Sequence, residues 1–391
     1  MTFILDADDD KRIIAVGDIH GMNQSLRSAL RSPTFPTWLI PSCSALLAEI
    51  SYDPQSDTLI HLGDIVSKKK KVSSDPVLDF MSTNSILGVR GNNDQTVIEW
   101  RAWMDWIVTL PGGQAWLEEM DSNWSHLDEA NPEFNAWLKE SHRQWEAHVP
   151  SGWELLGKHY KVARDMSQAH YDYLCSLPLV LHAPAVHTYF VHAGLLPADP
   201  TRTLDDPKQP LSHLPTTANP EEDELVLRSL QEIALLNEIP QNQDPWVVLN
   251  MRSLLEDGKV VEKPKKGTPW TEMWNDVMSD CSGLSEGTPS SLHCFPSTVL
   301  YGHAAARDLD VKRWSIGLDT GCVSDPILLH AQFVEVELRQ AYGRRLTAVV
   351  LDAKSLSPQT HSEIIDPSLR DSYIPYGDEG TARIISVKCH K

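Results

Sequence analysis

Five short apolar segments in this chain each end in a glycine or a tight turn that carries a carboxylate, imidazole or amide side chain. In the first, the residues IIAV at 13–16 are followed by GDIHG at 17–21. An apolar run of four closed by a glycine is typical of a buried strand. Asp18 and His20 lie two residues apart, so an extended backbone directs both side chains to the same side. A carboxylate and an imidazole placed together can bind a divalent cation.

Repetition of this pattern constrains the fold more than any single motif does. Open α/β sheets build their sites from the C-terminal ends of several strands, which meet at one edge. We therefore predict an α/β protein whose site collects polar groups from five strand ends. The four further junctions are TLIHLGD at 58–64, SILGVRGNND at 85–94, TYFVHAG at 188–194 and STVLYGH at 297–303.

The motifs GDIHG, GD, GNND, HAG and GH occur in an order that resembles the calcineurin-like metallophosphoesterases, on the branch of protein Ser/Thr phosphatases and diadenosine tetraphosphatase. Finer motifs resemble most closely the fungal zinc-dependent endopolyphosphatases. The resemblance implies a four-layer αββα sandwich, in which helices flank two mixed β-sheets. The finer motifs are GDIVSK at 63–68, LNMRS at 249–253, YGHAA at 301–305 and GLDTGC at 317–322.

The resemblance also implies two divalent metal ions and the residues that would bind them. Their mixed nitrogen and oxygen ligands suit Zn, Mn or Fe better than Ca or Mg, and the resemblance favours Zn. Arg252 would clamp the phosphoryl oxygens, and Lys68 would add a charge where the family more often has arginine. One metal would be held by Asp18, His20 and Asp64, and the other by Asp64 as the bridging ligand, Asn92, His192 and His303.

Two departures from the family pattern bear on the substrate. Asn93 stands where family members place a general-acid histidine, and Ser67 stands where protein phosphatases place an aspartate oriented toward that histidine. An alkoxide leaving group needs a proton, whereas a phosphate oxygen, with a second pKa of about 6, can leave without one.

The missing acid pair therefore favours phosphoanhydride substrates, first of all inorganic polyphosphate cut internally. The enzymatic alternatives are a symmetrical dinucleoside tetraphosphatase and a protein Ser/Thr phosphatase. A catalytically weak phosphate-binding or regulatory protein is a further alternative, because of Asn93.

For domain organisation, we predict a metallophosphoesterase domain over residues 11–352 and a polar tail over 353–391. Residues 99–184 contain eight of the thirteen tryptophans and are predicted to be a helical insertion that covers the metal site. Its stripe of Trp100, Trp103 and Trp106 at helical spacing is predicted to pack in a core. Residues 324–341 interrupt the family pattern, as a retained intron or a surface hairpin insertion would.

Composition limits the partners. The net charge of −20 argues against nucleic-acid or membrane-surface binding, so a polyanionic substrate needs a local basic cleft. The six cysteines have no paired spacing and are predicted to be reduced. No stretch has the length of a membrane span, and no signal peptide is evident. Vacuolar relatives carry an N-terminal anchor, so cytoplasmic and vacuolar locations both stay open, as does the oligomeric state.

Several polar residues near the predicted strands do not match the metal-binding motifs. For these we predict packing, surface or turn roles. They are His61, His182, His187 and Asp319.

Overall fold

The computed structural model describes residues 2–5, 11–22, 46–67, 73–126, 136, 140, 145–215, 224–284, 292–321, 345–352, 373–378 and 380–389. The chain divides into two compact units. One comprises Met1–Asp94 with Ser176–Lys391, and the other is Gln95–Cys175.

The strands belong to the first unit. In chain order they are β1 (Thr2–Ile4), β2 (Arg12–Val16), β3 (Asp57–His61), β4 (Leu87–Gly88), β5 (Val180–Ala183), β6 (Thr188–Val191), β7 (Ser253–Leu254), β8 (Val260–Val261), β9 (Thr268–Pro269), β10 (Thr298–Tyr301), β11 (Asp310–Val311), β12 (Ser315–Gly317), β13 (Arg345–Leu351), β14 (Tyr373–Tyr376) and β15 (Gly380–Lys388).

Helices account for most of the remaining regular structure. In chain order they are α1 (Leu46–Ile50), α2 (Asp75–Thr83), α3 (Asn92–Ile107), α4 (Gly113–His126), α5 (Lys158–Asp165), α6 (Gln168–Ser176), α7 (Glu224–Asn237), α8 (Pro240–Gln243), α9 (Pro245–Asn250) and α10 (Trp270–Asp280), with short 3-10 turns at Glu146–His148 and Pro184–Val186.

Two six-stranded mixed sheets form the frame of the first unit. The strand order is β1-β5-β6-β10-β12-β11 in the first sheet and β14-β15-β13-β2-β3-β4 in the second. Strands β2, β3 and β4 run parallel, as do β6, β10 and β12. Within each sheet, the predicted ligand loops therefore follow the C-terminal ends of parallel strands, which lie at the same edge. The chain after α9 forms a small three-stranded sheet with the strand order β8-β7-β9.

The two large sheets share one apolar core, and helices cover their outer faces. Ile60 and Val349 of the second sheet cluster with Phe190 and Leu300 of the first. On the other face of the first sheet, side chains of α7, α9 and α10 form a second buried cluster, in which Trp274 packs with strand residues. Helix α1 contacts β13 and β15 of the second sheet. Because each sheet face is covered by another layer, the predicted four-layer αββα class is confirmed.

Aromatic side chains form the interior of the second unit. Trp100 meets Trp103 edge to face at a centroid distance of 5.2 Å, and Trp116 stacks on Trp145 at 4.9 Å. The predicted packing role holds for Trp100 and Trp103, which are buried. Trp106 differs, because 45% of its surface is exposed.

Two stretches of the predicted domain scheme contain strands. Val180–Ala183, within the predicted helical insertion, form β5 of the first sheet and lie outside the compact unit Gln95–Cys175. The predicted polar tail includes β14 and β15, and β15 pairs along β13 in the second sheet. The proposed cover over the metal site stays a prediction. Residues 324–341 and Lys68 lie outside the described residues.

The prediction of reduced cysteines is wrong for part of the set. Cys281, which follows α10, forms a disulfide with Cys294, which precedes β10, and Cys389 is also disulfide-bonded. Cys281 and Cys294 are 13 positions apart, and the sequence analysis did not recognise this spacing as that of a bonded pair. Within the described part of the chain, no helix is both long and apolar enough to cross a bilayer.

Candidate metal centre

The loops after β2 and β3 bring three of the predicted ligands together. One ligand atom from each of Asp18, His20 and Asp64 lies within 4.8 Å of the others, and all three residues are buried. His20 Nε2 is 3.8 Å from Asp18 Oδ2 and 3.8 Å from Asp64 Oδ2. These separations exceed a hydrogen bond but suit groups arranged around a common ion.

The tautomer of His20 supports a cation at this point. Its Nδ1 lies 3.2 Å from the carbonyl oxygen of Val66, which can only accept, so Nδ1 carries the proton. In the neutral ring, Nε2 then presents a lone pair toward the carboxylates of Asp18 and Asp64. Three electron-rich groups that face one another in a buried space repel unless a positive charge lies among them. The donor set therefore fits a divalent metal. Metal-binding histidines commonly donate their other ring N–H to a carbonyl oxygen, as Nδ1 of His20 does here.

A second group forms where the loops after β4, β6 and β10 meet. His192 Nε2 lies 2.9 Å from Asn92 Oδ1 and 3.5 Å from Asp64 Oδ1. Its Nδ1 donates to the carbonyl of Leu62 at 2.8 Å, so the neutral ring again presents its Nε2 lone pair to acceptor oxygens. His303 Nδ1 lies 3.2 Å from the same Asn92 oxygen. The four residues thus surround a second position that suits a cation, with Asp64 common to both groups.

Electrostatics keep His303 in the form that a metal ligand needs. Burial, assisted by the nearby His192 and Arg252, holds the pKa of His303 well below its ordinary value, while Asp64 and the backbone of Asn250 act in the opposite direction. A neutral imidazole can donate its lone pair to a metal, whereas an imidazolium cannot.

Three of the eight described non-glycine residues with a positive φ belong to this centre. His20, Asp64 and His303 have φ values of 47°, 48° and 63°, in the left-handed region that residues with a Cβ seldom adopt. Each such residue costs about 1–3 kcal/mol and persists where surrounding structure imposes it, commonly at functional sites. Close packing adds a glycine requirement, because a Cβ on Gly91 would lie 2.1 Å from the backbone nitrogen of Asp64.

Asp94 supports the site, although the sequence analysis assigned it no role. Its carboxylate accepts from the backbone of Gly91 at 2.9 Å and of Val66 at 3.1 Å, and so joins the Asn92 loop to the Asp64 loop. Burial and the neighbouring Asp64 raise the pKa of Asp94 to about 7, against the backbone hydrogen bonds that lower it. Its position at the third residue of α3, reaching back to the N-terminal backbone, is a capping pattern that the sequence GNND already contains.

Asn93 and Arg252, two residues for which we predicted catalytic roles, contact this centre. The backbone N–H of Asn93 donates to Asp64 Oδ1 at 2.9 Å, and its side-chain amide donates to Asp64 Oδ2. Arg252 donates from Nη2 to the carbonyl of His303 at 3.0 Å. Burial lowers the pKa of Arg252, while the charges of Asp319 and Asp18 raise it.

Arg307, which the sequence analysis did not single out, binds the backbone of Arg252. It donates from Nη2 to the Arg252 carbonyl at 2.8 Å and from Nη1 to Thr271 Oγ1 at 3.3 Å. Its charge also lowers the pKa of Arg252, which shows that two cationic side chains are neighbours here. Two arginine side chains therefore lie at the candidate centre, although the whole chain has a net charge of −20.

The structural roles predicted for His61 and Asp319 agree with their surroundings. Burial, together with His192, lowers the pKa of His61 to about 3, so this packed ring is neutral. Asp319 accepts from the backbone of Gly321 at 3.1 Å, as in an Asx turn. His182 and His187 both bind the buried carboxylate of Glu232 and lie outside the metal groups.

Comparison with known families agrees with this arrangement. A model of the calcineurin-like phosphoesterases matches residues 11–256, which is more than half of the chain. The chain belongs to the calcineurin-like phosphoesterase family. Members of this family are metal-dependent phosphatases, and the cluster of Asp and His ligands implies divalent metals. The match begins just before the GDIHG loop and ends just after Arg252.

Two solved structures are similar to this phosphoesterase. One is a protein to which diadenosine tetraphosphatase activity is attributed, with 22% identity, coverage of 89% of this chain and 92% of the other, and a TM-score of 0.44. The second is a Saccharomyces cerevisiae protein serine/threonine phosphatase with similarity to human phosphatase PP5, with 10% identity, coverage of 100% and 84%, and a TM-score of 0.34. No curated protein matches the chain.

Proposed function

We propose that this phosphoesterase hydrolyses phosphoanhydride bonds at a dinuclear metal centre, and that inorganic polyphosphate, cut internally, is its main substrate. The observation that carries the proposal is the use of Asn93. Its amide donates to the carboxylate of Asp64, and an amide has no acidic proton to give to a leaving group. A bond whose leaving group departs unprotonated loses least from such a replacement.

The metal assignment in this proposal follows the two groups around Asp64. Asp18, His20 and Asp64 would hold one cation, and Asp64, Asn92, His192 and His303 would hold the other. Asp64 Oδ2 faces His20 and Asp64 Oδ1 faces His192, which supports a bridging role. When bound, the cations stabilise charge on phosphoryl oxygens and lower the pKa of water. Zn, Mn and Fe all suit these ligands, and we propose Zn first.

The protein's own residues orient the substrate and hold the ligands in place. Arg252 would bind phosphoryl oxygens, and its geometry is supported by the His303 carbonyl and by Arg307. Asn93 holds the Asp64 carboxylate by both of its oxygens. Lys68 is proposed to contribute a further charge from the loop after β3.

We propose an oxidising compartment such as the vacuole in preference to the cytoplasm. The disulfide between Cys281 and Cys294 supports this, because glutathione keeps most cytosolic thiols reduced.

Turnover of three substrates tests the proposal. The protein, supplied in turn with Zn, Mn and Fe, is incubated with long-chain polyphosphate, diadenosine tetraphosphate and a phosphoserine peptide. We expect the highest kcat/KM for polyphosphate, with products of intermediate length that identify internal cleavage. A highest value for the peptide would contradict the leaving-group argument. No turnover of any substrate with any metal would favour a phosphate-binding or regulatory role.

A further inference from the structure

The connection between β8 and β9 carries a charge opposite to that of the whole chain. Residues 263–266, which we call the lysine segment, have the sequence KPKK. They contain three lysines and no acidic residue, a net charge of +3 in a chain whose net charge is −20. The side chains of Lys263, Lys265 and Lys266 are all exposed. At physiological salt such a cluster attracts anions over about 8 Å, so its effect depends on what lies beside it.

Backbone hydrogen bonds place the lysine segment beside Arg252, the proposed phosphate-binding residue. The N–H of Arg252 donates to the carbonyl of Val261 at 3.0 Å, and Ser253 pairs with Val261 in the antiparallel ladder of β7 and β8. Because the two strands are antiparallel, the chain leaves β8 at the Arg252 end of the small sheet. Lys263 follows Val261 by two residues, which span at most about 7 Å. The lysine segment therefore begins next to Arg252.

The lysine segment is held against the small sheet. The N–H of Lys266 donates to the carbonyl of Lys263 at 3.1 Å, which closes a turn. Gly267 follows with a φ of 76°, and a Cβ there would lie 1.9 Å from a backbone oxygen of β7. The chain then pairs with β7 as β9. The three lysines thus lie on a closely packed turn that leads from the Arg252 end back along β7.

Arg252 joins this segment to a second cation. Its carbonyl accepts from Arg307 Nη2 at 2.8 Å, while its N–H binds β8 as described above. Glu262 is the acidic residue between β8 and the lysine segment. Burial lowers the pKa of Arg252, and the charge of Glu262 is among those that raise it. An anion with many phosphates can therefore meet Arg252 and the exposed lysines together, whereas a single phosphoryl group at Arg252 meets fewer of these cations.

We propose that the lysine segment binds the part of a polyphosphate chain that extends beyond the phosphoryl group at Arg252, and so makes the protein select long chains over short ones. The inference rests on the proposed function, because polyphosphate is the proposed substrate. Each lysine–phosphate contact on an exposed surface is weak, but such contacts add along a linear polyanion and release its bound counterions. The lysine segment would then provide the local basic surface that a polyanion needs on a chain with a net charge of −20.

Binding of long-chain polyphosphate to the full chain in the presence of a chelator tests the proposal without hydrolysis. Replacing the three lysines with glutamine should weaken binding about tenfold, as expected for three exposed ion pairs. The slope of log affinity against log salt concentration should become shallower by about 2. Replacing the same lysines with arginine keeps the charge and should leave the affinity unchanged. No binding to the wild-type protein, or equal binding to the glutamine variant, would overturn the inference.

Lys259 provides a matched single substitution within the small sheet. It is exposed like Lys263, but it lies at the turn between β7 and β8, two residues after Asp257 and at the end away from Arg252. Lys263→Gln should weaken polyphosphate binding about twofold, and Lys259→Gln should leave it unchanged. Equal losses in the two variants would mean that only the overall charge matters, and would overturn the role of the lysine segment.

Kinetics of the metal-loaded protein separate this inference from the proposed function. The triple glutamine variant should have a KM about tenfold higher for long-chain polyphosphate and at most about twofold higher for tripolyphosphate, with kcat unchanged. Polyphosphate binding that depends on the lysines, without hydrolysis, would contradict the proposed function alone. Hydrolysis of polyphosphate with a KM that does not depend on the lysines would contradict this inference alone. Tighter binding of single-stranded DNA of equal charge would overturn polyphosphate as the ligand of the segment.

Discussion

Asp64 is the residue on which the candidate centre depends most. Its two carboxylate oxygens face different histidines, and Asn93 donates to both of them. The strained backbone at Asp64 indicates that the surrounding loops impose this position. In the proposed centre, this one carboxylate would serve two ions.

Asp64→Asn should therefore abolish hydrolysis and release at least one metal ion per chain while the fold is kept. The amide has one acceptor oxygen and no charge, so it cannot bridge two cations. The measurements are metal content by mass spectrometry, polyphosphate turnover and the far-ultraviolet spectrum. Asp53→Asn is the control, because an asparagine there can still accept from the backbone N–H of Gln55 and lies outside the candidate centre. Normal turnover with both metals retained in Asp64→Asn would remove the basis for the site.

In the proposed function, Asn93 determines the preference between substrate classes. Asn93→His should raise kcat/KM for an alkyl phosphate monoester more than for polyphosphate, because only the alkoxide needs a proton. The gain should be partial, since Ser67 would not orient the new imidazole. Adding Ser67→Asp should give a gain larger than the sum of the single effects. Kinetics of the four variants on both substrates measure this coupling, and equal gains on the two substrates would count against the preference for polyphosphate.

At the scale of elements, a reciprocal brace joins the loop after β10 to the segment between α9 and β7. The Arg252 side chain donates to the carbonyl of His303, and the Arg307 side chain donates to the carbonyl of Arg252. Hydrogen bonds therefore hold His303, the proposed metal ligand, and Arg252, the proposed phosphate-binding residue, to each other.

Arg307→Met should lower kcat/KM for polyphosphate about tenfold, mainly through a higher KM. Hydrogen bonds from charged donors contribute about 1.5–3 kcal/mol, and 1.4 kcal/mol corresponds to a factor of ten. Arg307→Lys should recover part of the loss, because an ammonium can still donate to the Arg252 carbonyl. Arg202→Met, which removes ion pairs with Asp199 and Asp206 only, serves as the control. A change in melting temperature without a change in KM would mean that Arg307 is merely structural.

The sequence predicted the ligand-bearing strands well because each combines a buried apolar run with a turn that the site requires. β4 is only two residues long, yet GNND after it was sufficient to predict the loop. Arg307 was missed because the Arg252 carbonyl that it binds is 55 residues away in sequence, whereas the contact of Asp94 with Gly91 could have been predicted from the capping pattern in GNND.

At the scale of the molecule, pairing between segments that are distant in sequence explains why some strands were not predicted. The last strand, β15, lies within the predicted polar tail because it follows many polar residues, although it is nine residues long. Its pairing with β13, more than thirty residues earlier, provides the partner that makes it a strand. Similarly, the segment between α9 and β10 is rich in Gly, Ser and Pro, but Trp270 and Trp274 are almost completely buried there.

The disulfide between Cys281 and Cys294 should stabilise this segment. The two residues are 13 positions apart, and closing a loop of about this length is expected to contribute about 3 kcal/mol. Replacing both cysteines with alanine should therefore lower the free energy of unfolding by about 2–3 kcal/mol. Cys175→Ala, which removes an exposed thiol in the other unit, should have little effect. Chemical denaturation of the three proteins measures the difference, and equal stability would argue that the disulfide does not form.

We propose that the leaving group receives no proton. The dependence of kcat/KM on the pKa of the leaving group tests this most directly. The substrates are aryl phosphates whose leaving groups range from strongly acidic phenols to phenol itself, which has a pKa of about 10, like tyrosine. Their hydrolysis is measured for the wild-type protein and for the double variant Ser67→Asp with Asn93→His. We predict a steep fall in wild-type kcat/KM, by about 10²–10⁴ across the series, and a shallower fall in the double variant. A wild-type rate that is independent of leaving-group pKa, with chemistry shown to be rate-limiting, would contradict the account.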